Sequence, residues 1–258
     1  MKYYLKEEFL LDNNVKNAGN KARNDVEEIV KREGYQALVL SVDNWYEMGT
    51  LKKQLHKSKA IGQALNQLKQ GDELLIQFPM LHYSFFATHH VKKAQKKGVK
   101  VNFIIHDLEA LRYINVENLP LKHKINIQIQ ESSLLGAADG IIAHNPIMKS
   151  VLVDKGIAAD KIVSLDIFDY LIPNFQEKTG LTKNQRIIVA GNLAQEKASY
   201  LYSLPAEPAY NLYGVGFDEN RALANETYFG PFLPDELPAA LEGGFGLVWD
   251  GDSAETCS

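Results

Sequence analysis

Arg186–Leu204 reads RIIVAGNLAQEKASYLYSL. The apolar, β-branched run Ile187–Ala190 has the make-up of a buried strand and stops at Gly191-Asn192. A polar turn follows, and the spacing then predicts a helix over Glu196–Leu204. Strand, turn and helix in this order open a Rossmann-like unit, in which ligands gather at the C-terminal ends of parallel strands.

Upstream of this stretch the same alternation has already run its course. Strands are predicted at Tyr3–Leu5, Ala37–Val42, Glu73–Gln77, Lys100–His106, Gly140–Ala143 and Ile162–Leu165. Helices are predicted at Asn17–Arg32, Leu51–Leu68, Phe85–Lys97, Leu121–Leu135 and Pro146–Lys155. Gly98 and Gly156 stand where a helix C-terminus favours glycine. LLIQF and VNFII are apolar on both faces, as strands of a helix-covered parallel sheet are. The expected class is α/β with two Rossmann-like domains.

Apolar signal drops over PNFQEKTGLTKN, residues 173–184. Residues 1–172 are therefore read as a first domain, 173–185 as a linker and 186–258 as the start of a second domain. Beyond Leu204, strands are predicted at Tyr210–Tyr213, Thr227–Phe229 and Gly246–Trp249, with a helix over Pro234–Leu241. The second domain is expected to be incomplete at Ser258, two strand–helix units short of ordinary size.

Bulk properties narrow the function classes. The 258 residues are 45% hydrophobic and carry a formal net charge of −4, which gives no argument for non-specific nucleic-acid binding. The one cysteine, Cys257, excludes an internal disulfide framework and fits a reducing, cytoplasmic setting. No apolar run reaches the roughly 18 residues that span a bilayer, so membrane contact is expected to be peripheral at most.

Candidate site residues lie at predicted strand ends and helix starts. Gly19 and Asn20 open the first long helix, where amides favour an anion; an ordinary capped helix start is the plainer reading. Gly191 and Asn192 have the same local logic, and Lys197 would reach a diphosphate as a point charge; a solvated lysine is the plain alternative. His106 and Asp107 follow VNFII: Asp107 is the candidate general base, or a cap of the next helix, and His106 a residue that orients it or binds hydroxyls. His144-Asn145 stands in the equivalent place after GIIA. His82 and the pair His89-His90 lack ligand spacing and are read as structural. Asp250-Gly251-Asp252 is read as an acidic loop.

Two such domains and a linker, without a metal-binding pattern, outline the GT-B glycosyltransferases. NAGNKARNDVEEIV (17–30), GDELLIQFP (71–79), VNFIIHDLEALR (101–112), IIAHNPIMKSVLVDKGI (141–157), IFDYL (167–171), VAGNLAQEK (189–197) and EGGFGLVWDGDS (242–253), in that order, resemble bacterial β-1,6-galactofuranosyltransferases. They are similar, more distantly, to streptococcal glucosyltransferases that extend adhesin glycans. The resemblance implies a UDP-sugar donor, a lipid- or protein-linked glycan acceptor, no metal or other cofactor, and a homo-oligomer at the inner face of the membrane. It implies that Gly191, Asn192 and Lys197 meet the nucleotide or its phosphates, and that Tyr213 and Gly214 lie near its base or ribose. Gly19 and Asn20 would face the cleft, and His106 and Asp107 the acceptor. Family members continue past the WDGDS segment, so part of the donor site is expected beyond Ser258.

Overall fold

The computed structural model describes residues 1–8, 20–43, 47–113, 116–166, 171–172, 184–233, 236–240 and 244–248. They fall into two compact units, each built on its own parallel sheet. The α/β reading is borne out in both.

The first unit alternates β1 (Lys2–Glu8), α1 (Lys21–Arg32), β2 (Gln36–Ser41), α2 (Thr50–Asn66), β3 (Glu73–Phe78), α3 (Ala87–Lys96), β4 (Lys100–Ile105), α4 (Glu109–Arg112), α5 (Leu121–Asn126), β5 (Gly140–Ala143), α6 (Pro146–Asp154) and β6 (Ile162–Ser164). The strands order as β2-β1-β3-β4-β5-β6, all parallel. Strand alternation assigns each residue a layer. Leu74, Ile76, Phe103 and Ile105 face the large core, which α2, α3 and α6 cover with Ile61, Leu65, Val91 and Leu152. Tyr4, Leu75 and Ile104 face the other way, against Val26 of α1. A fully buried Phe103 or Leu74 contributes on the order of 2 kcal/mol through burial.

One helix differs from its expectation. Leu121–Leu135 was expected to be a single α-helix, but it widens to a π-helix over Ile127–Leu134. The widening turns Glu131 into the interior beside Leu134.

The second unit holds β7 (Ile187–Asn192), α7 (Gln195–Ala198), β8 (Tyr210–Val215), β9 (Glu226–Gly230), α8 (Leu237–Ala240) and β10 (Phe245–Gly246). Its strands order as β10-β7-β8-β9, again parallel. The helix expected over Glu196–Leu204 is a correction: α7 is a single turn, and Ser199–Ser203 is 3-10. The tighter winding seats both Ala198 and Leu201 in the small core with Val189, Leu193, Tyr210 and Leu212.

Candidate functional site

Each sheet has one place where successive connections leave in opposite directions, and there a crevice opens at the C-terminal strand ends. In the first unit it lies between β1 and β3, because β2 is on one side of β1 and the later strands on the other. In the second it lies between β7 and β10, because β8 and β9 step away from β7 on the opposite side.

At the first crevice a polar network crosses the strand ends. Gln77, two residues beyond the α1-facing Leu75, shares its face and so reaches α1: its Nε2 donates to the Arg23 carbonyl at 3.3 Å. That fixes the amide, whose Oε1 lies 2.6 Å from His106 Nε2. With Oε1 as acceptor, the His106 proton sits on Nε2. His106 N–H also donates to the Phe78 carbonyl at 2.8 Å. Burial, with the Arg23 guanidinium and His144 nearby, pushes His106 down to about 3. The ring is neutral at physiological pH, a hydrogen-bonding group and not a proton acceptor. His144 lies with its ring centroid 6.2 Å away and is likewise lowered by burial.

Glu7 closes the network from β1. Its carboxylate accepts the N–H groups of Leu81 at 3.0 Å and His82 at 2.7 Å, and faces Arg23 Nη1 at 3.7 Å. Burial pushes it up, against the pull of those amides and the guanidinium. Arg23 Nη2 in turn donates to the Pro79 carbonyl. Glu7, Arg23 and Gln77 had not been singled out in the sequence. The available signal was a polar residue at each end of a buried run, in YYLKE and LLIQF.

Asp107 is bound to Arg112, whose Nη2 donates to its Oδ2. It does not cap the next helix; Leu108 occupies that position without a side-chain bond. Asn145 does act as a cap, accepting Met148 N–H at 2.8 Å. Asn20 is exposed in the turn before α1, and Gly19 lies outside the described residues. His90 is structural, its Nε2 being 2.8 Å from Ser58 Oγ, with Gly62 leaving room for the ring.

On the other side of β7, at its C-terminal end beside that of β8, Gly191, Gly214 and Gly216 let backbones come together. A Cβ on Gly214 (φ +153°) would sit 1.8 Å from the Gly191 carbonyl oxygen, and one on Gly216 (φ +84°) 2.9 Å from Ala194 Cβ. The loop after β7 thus rests directly on the end of β8. Gly191 itself (φ +147°) has nothing within 4 Å of a Cβ position, so its strand end is open. Asn192 Oδ1 accepts Ala194 N–H at 3.0 Å and folds the loop over. Lys197 is exposed on α7. Tyr213 stacks on Phe229 with centroids 4.8 Å apart, so its ring is engaged with β9, away from the β7–β10 crevice. Gly216 had not been singled out, because the glycine pairing spans two strands and is no local pattern. Separately, an open cleft of about 810 Å³ lined by Arg186, Pro208 and Asn225 lies at the N-terminal strand ends of this second sheet, the edge away from its crevice.

Known proteins add the family. The description "Glucosyltransferase 3-like, N-terminal domain" matches residues 2–167, and the corresponding C-terminal domain matches residues 187–258. The chain belongs to the glucosyltransferase 3-like family. It is a glycosyltransferase with the GT-B fold. A similar protein is the beta-1,6-galactofuranosyltransferase WbbI of Escherichia coli (strain K12), 33% identical over 94% of this chain and 67% of WbbI. Among solved structures, the apo lipopolysaccharide outer core galactosyltransferase WaaB aligns with a TM-score of 0.53 at 13% identity, over 93% of this chain and 70% of WaaB. The UDP-GlcNAc 2-epimerase of Methanocaldococcus jannaschii aligns with 0.54 at 10% identity, over 95% of this chain and 77% of the epimerase. An epimerase and a transferase sharing the fold means that these two likenesses speak for architecture only.

Proposed function

We propose that this family member transfers galactofuranose from a uridine-diphosphate donor to a hydroxyl of a glycan acceptor, in building a cell-surface or exported polysaccharide. The observation that carries the reading is the 33% identity to a galactofuranosyltransferase over 94% of the chain. The open, glycine-lined end of β7 at a topological switch point supports a nucleotide there. In this reading Gly191, Asn192 and the Lys197 ammonium meet the diphosphate, and Gly214 holds the loop in place.

The acceptor hydroxyl gives its proton to the Asp107 carboxylate as its oxygen attacks the anomeric carbon. The bond from that carbon to the diphosphate breaks, and UDP leaves with its charge met by loop amides and Lys197 in place of a metal. Neutral His106, its one ring proton held by Gln77, can only accept a hydrogen bond from an acceptor hydroxyl. The acceptor is lipid- or protein-linked, and the enzyme works at the inner face of a membrane.

Calorimetry with UDP, followed by transfer assays with UDP-galactofuranose and UDP-glucose, tests this. Micromolar to millimolar UDP affinity and turnover of the furanose donor are expected. No UDP binding at millimolar concentration defeats the donor reading, and turnover of UDP-glucose alone replaces the sugar. Asp107→Asn should lower turnover with UDP affinity unchanged; normal turnover removes it as the base.

A further inference from the structure

The first unit carries a cationic face that its own stability does not explain. α2 (TLKKQLHKSKAIGQALN) and α3 (ATHHVKKAQK) contain no Asp or Glu, yet with Lys97 after α3 they hold eight of the chain's 28 basic residues. This is in a protein of net charge −4. Lys93 and Lys96 near the end of α3 favour the helix dipole, but Lys52 and Lys53 in the first turn of α2 oppose it. Those two lysines weaken the helix that carries them.

The two helices lie side by side and parallel. Gln54 receives Phe85 N–H at 3.0 Å, Ser58 meets His90 at 2.8 Å, and Lys97 Nζ lies 3.3 Å from Asn66 Oδ1. Lys52, Lys59, Lys92, Lys93, Lys96 and Lys97 are exposed along the pair. Lys57 is buried and Lys53 half-buried. At the end where both helices begin, four apolar side chains face outward: Leu51 at 70% exposure, Leu55 at 53%, Phe85 at 46% and Phe86 at 42%. Both helices start at the C-terminal edge of the sheet, the edge that carries His106 and Asp107. Nearby acidic groups are Glu47 and Asp43 in the approach to α2, and Asp139, whose Oδ2 accepts from Gln95 of α3 at 3.0 Å; Asp72 lies at the opposite edge, beside the N-terminal amine.

We infer that the α2–α3 face is a docking surface for an anionic lipid bilayer, with Leu51, Leu55, Phe85 and Phe86 entering the headgroup layer and the lysines resting on lipid phosphates. Charge complementarity selects the occupant: a cationic face with a tip of apolar side chains matches a bilayer's charged surface over an apolar layer. A nucleic acid offers the first and not the second. The contact would bring the acceptor edge of the sheet to the membrane. The proposal deepens the membrane apposition proposed above and rests on it, but not on the donor: UDP binding tests the transferase reading separately.

The test is co-sedimentation of the whole chain with vesicles of phosphatidylcholine alone and of phosphatidylcholine with about 30% phosphatidylglycerol, which supplies an anionic surface. Binding to the anionic vesicles, absent with neutral ones and weakening with salt, is expected. Each lysine lost should cost about fivefold in partitioning. Lys52→Glu/Lys92→Glu/Lys93→Glu should therefore reduce it more than a hundredfold, while Lys69→Glu/Lys100→Glu at the opposite edge of the sheet leaves most of it. Leu51→Gln/Leu55→Gln, which keeps good helix formers on exposed sites, should weaken binding at high salt most. UDP affinity and melting temperature check that each variant is folded. Equal binding to both vesicle types, no binding, or equal effects of the two lysine sets overturns the proposal. Concentration-dependent self-association abolished by the leucine variant, without lipid binding, would make a second copy of the chain the occupant instead.

Discussion

His106 is held down to about 3 by burial, with Arg23 and His144 adding to the effect, and this makes folding acid-sensitive in one direction. An unfolded histidine titrates near 6.5. Between about 6.5 and 3 the unfolded chain binds a proton that the folded chain refuses. The stability is present above 6.5 and is lost as pH falls, at up to about 1.4 kcal/mol per pH unit. His90 and His144 are lowered by burial as well and act in the same direction. Glu7 and Glu131 are raised and act oppositely. The informative quantity is therefore a difference: between pH 7.5 and 5, urea unfolding of the wild type should lose about 1–2 kcal/mol more than that of His106→Asn. Parallel losses would mean that the ring takes up its proton in the folded state. Glycine supplies a second residue-scale contrast. Gly214→Ala drives a methyl into the Gly191 carbonyl and should cost on the order of 3 kcal/mol. Gly191→Ala meets only backbone strain, about 1–2 kcal/mol. Denaturant midpoints that rank the two in reverse would disprove the close strand contact.

Elements differ in how much of them local sequence determines. β3 and β4 were legible because they are apolar on both faces, and α6 because Asn145, Pro146 and Gly156 punctuate it. The π-helix was not legible, since its winding is set by what Glu131 reaches. Its Oε1 accepts Ala110 N–H at 3.1 Å, and its Oε2 pairs with Lys155 at 3.3 Å. One carboxylate thereby ties the start of α4, three residues from Asp107, to the end of α6. Likewise α7 was expected to be longer because the pattern Ala198–Leu201 fits an α-helix as well as a 3-10 turn; Ser199, Tyr200 and Ser203 are weak helix formers, and packing decides. At the candidate site the strand-end positions could be read from sequence, while the Gln77–His106 and Glu7–Arg23 contacts could not, because their partners are 29 and 16 residues apart. Glu131→Ala should cost about 2–3 kcal/mol, below the usual figure for a fully buried pair because Lys155 keeps some solvent contact. Thermal unfolding measures it, and Glu131→Gln, which still accepts the Ala110 amide, should recover about 1 kcal/mol of the loss. No difference between the two would leave the Ala110 bond without a role.

The two units bury separate cores of unequal size. The first unites both faces of a six-stranded sheet, with Leu5, Ile76, Phe103 and Ile141 on one face and Tyr4 and Leu75 on the other. Among the described residues the second centres on Val189, Leu193, Ala198, Leu201, Tyr210 and Leu212. Buried apolar area sets most of the favourable term in folding, so the second unit should open at lower free energy than the first. A nucleotide bound at the β7 strand end stabilises only the state that has that end formed. At a hundred times its dissociation constant it adds about 2.7 kcal/mol. Hydrogen exchange on the whole chain separates the units directly. Amides of Ile187–Asn192 and Tyr210–Val215 should exchange faster than those of Glu73–Phe78 and Lys100–Ile105, and UDP should slow the first pair by up to about a hundredfold while the second pair stays within a few fold. Protection arising in β3 and β4 instead would move the nucleotide to the first unit and exchange the roles assigned to Asp107 and Lys197.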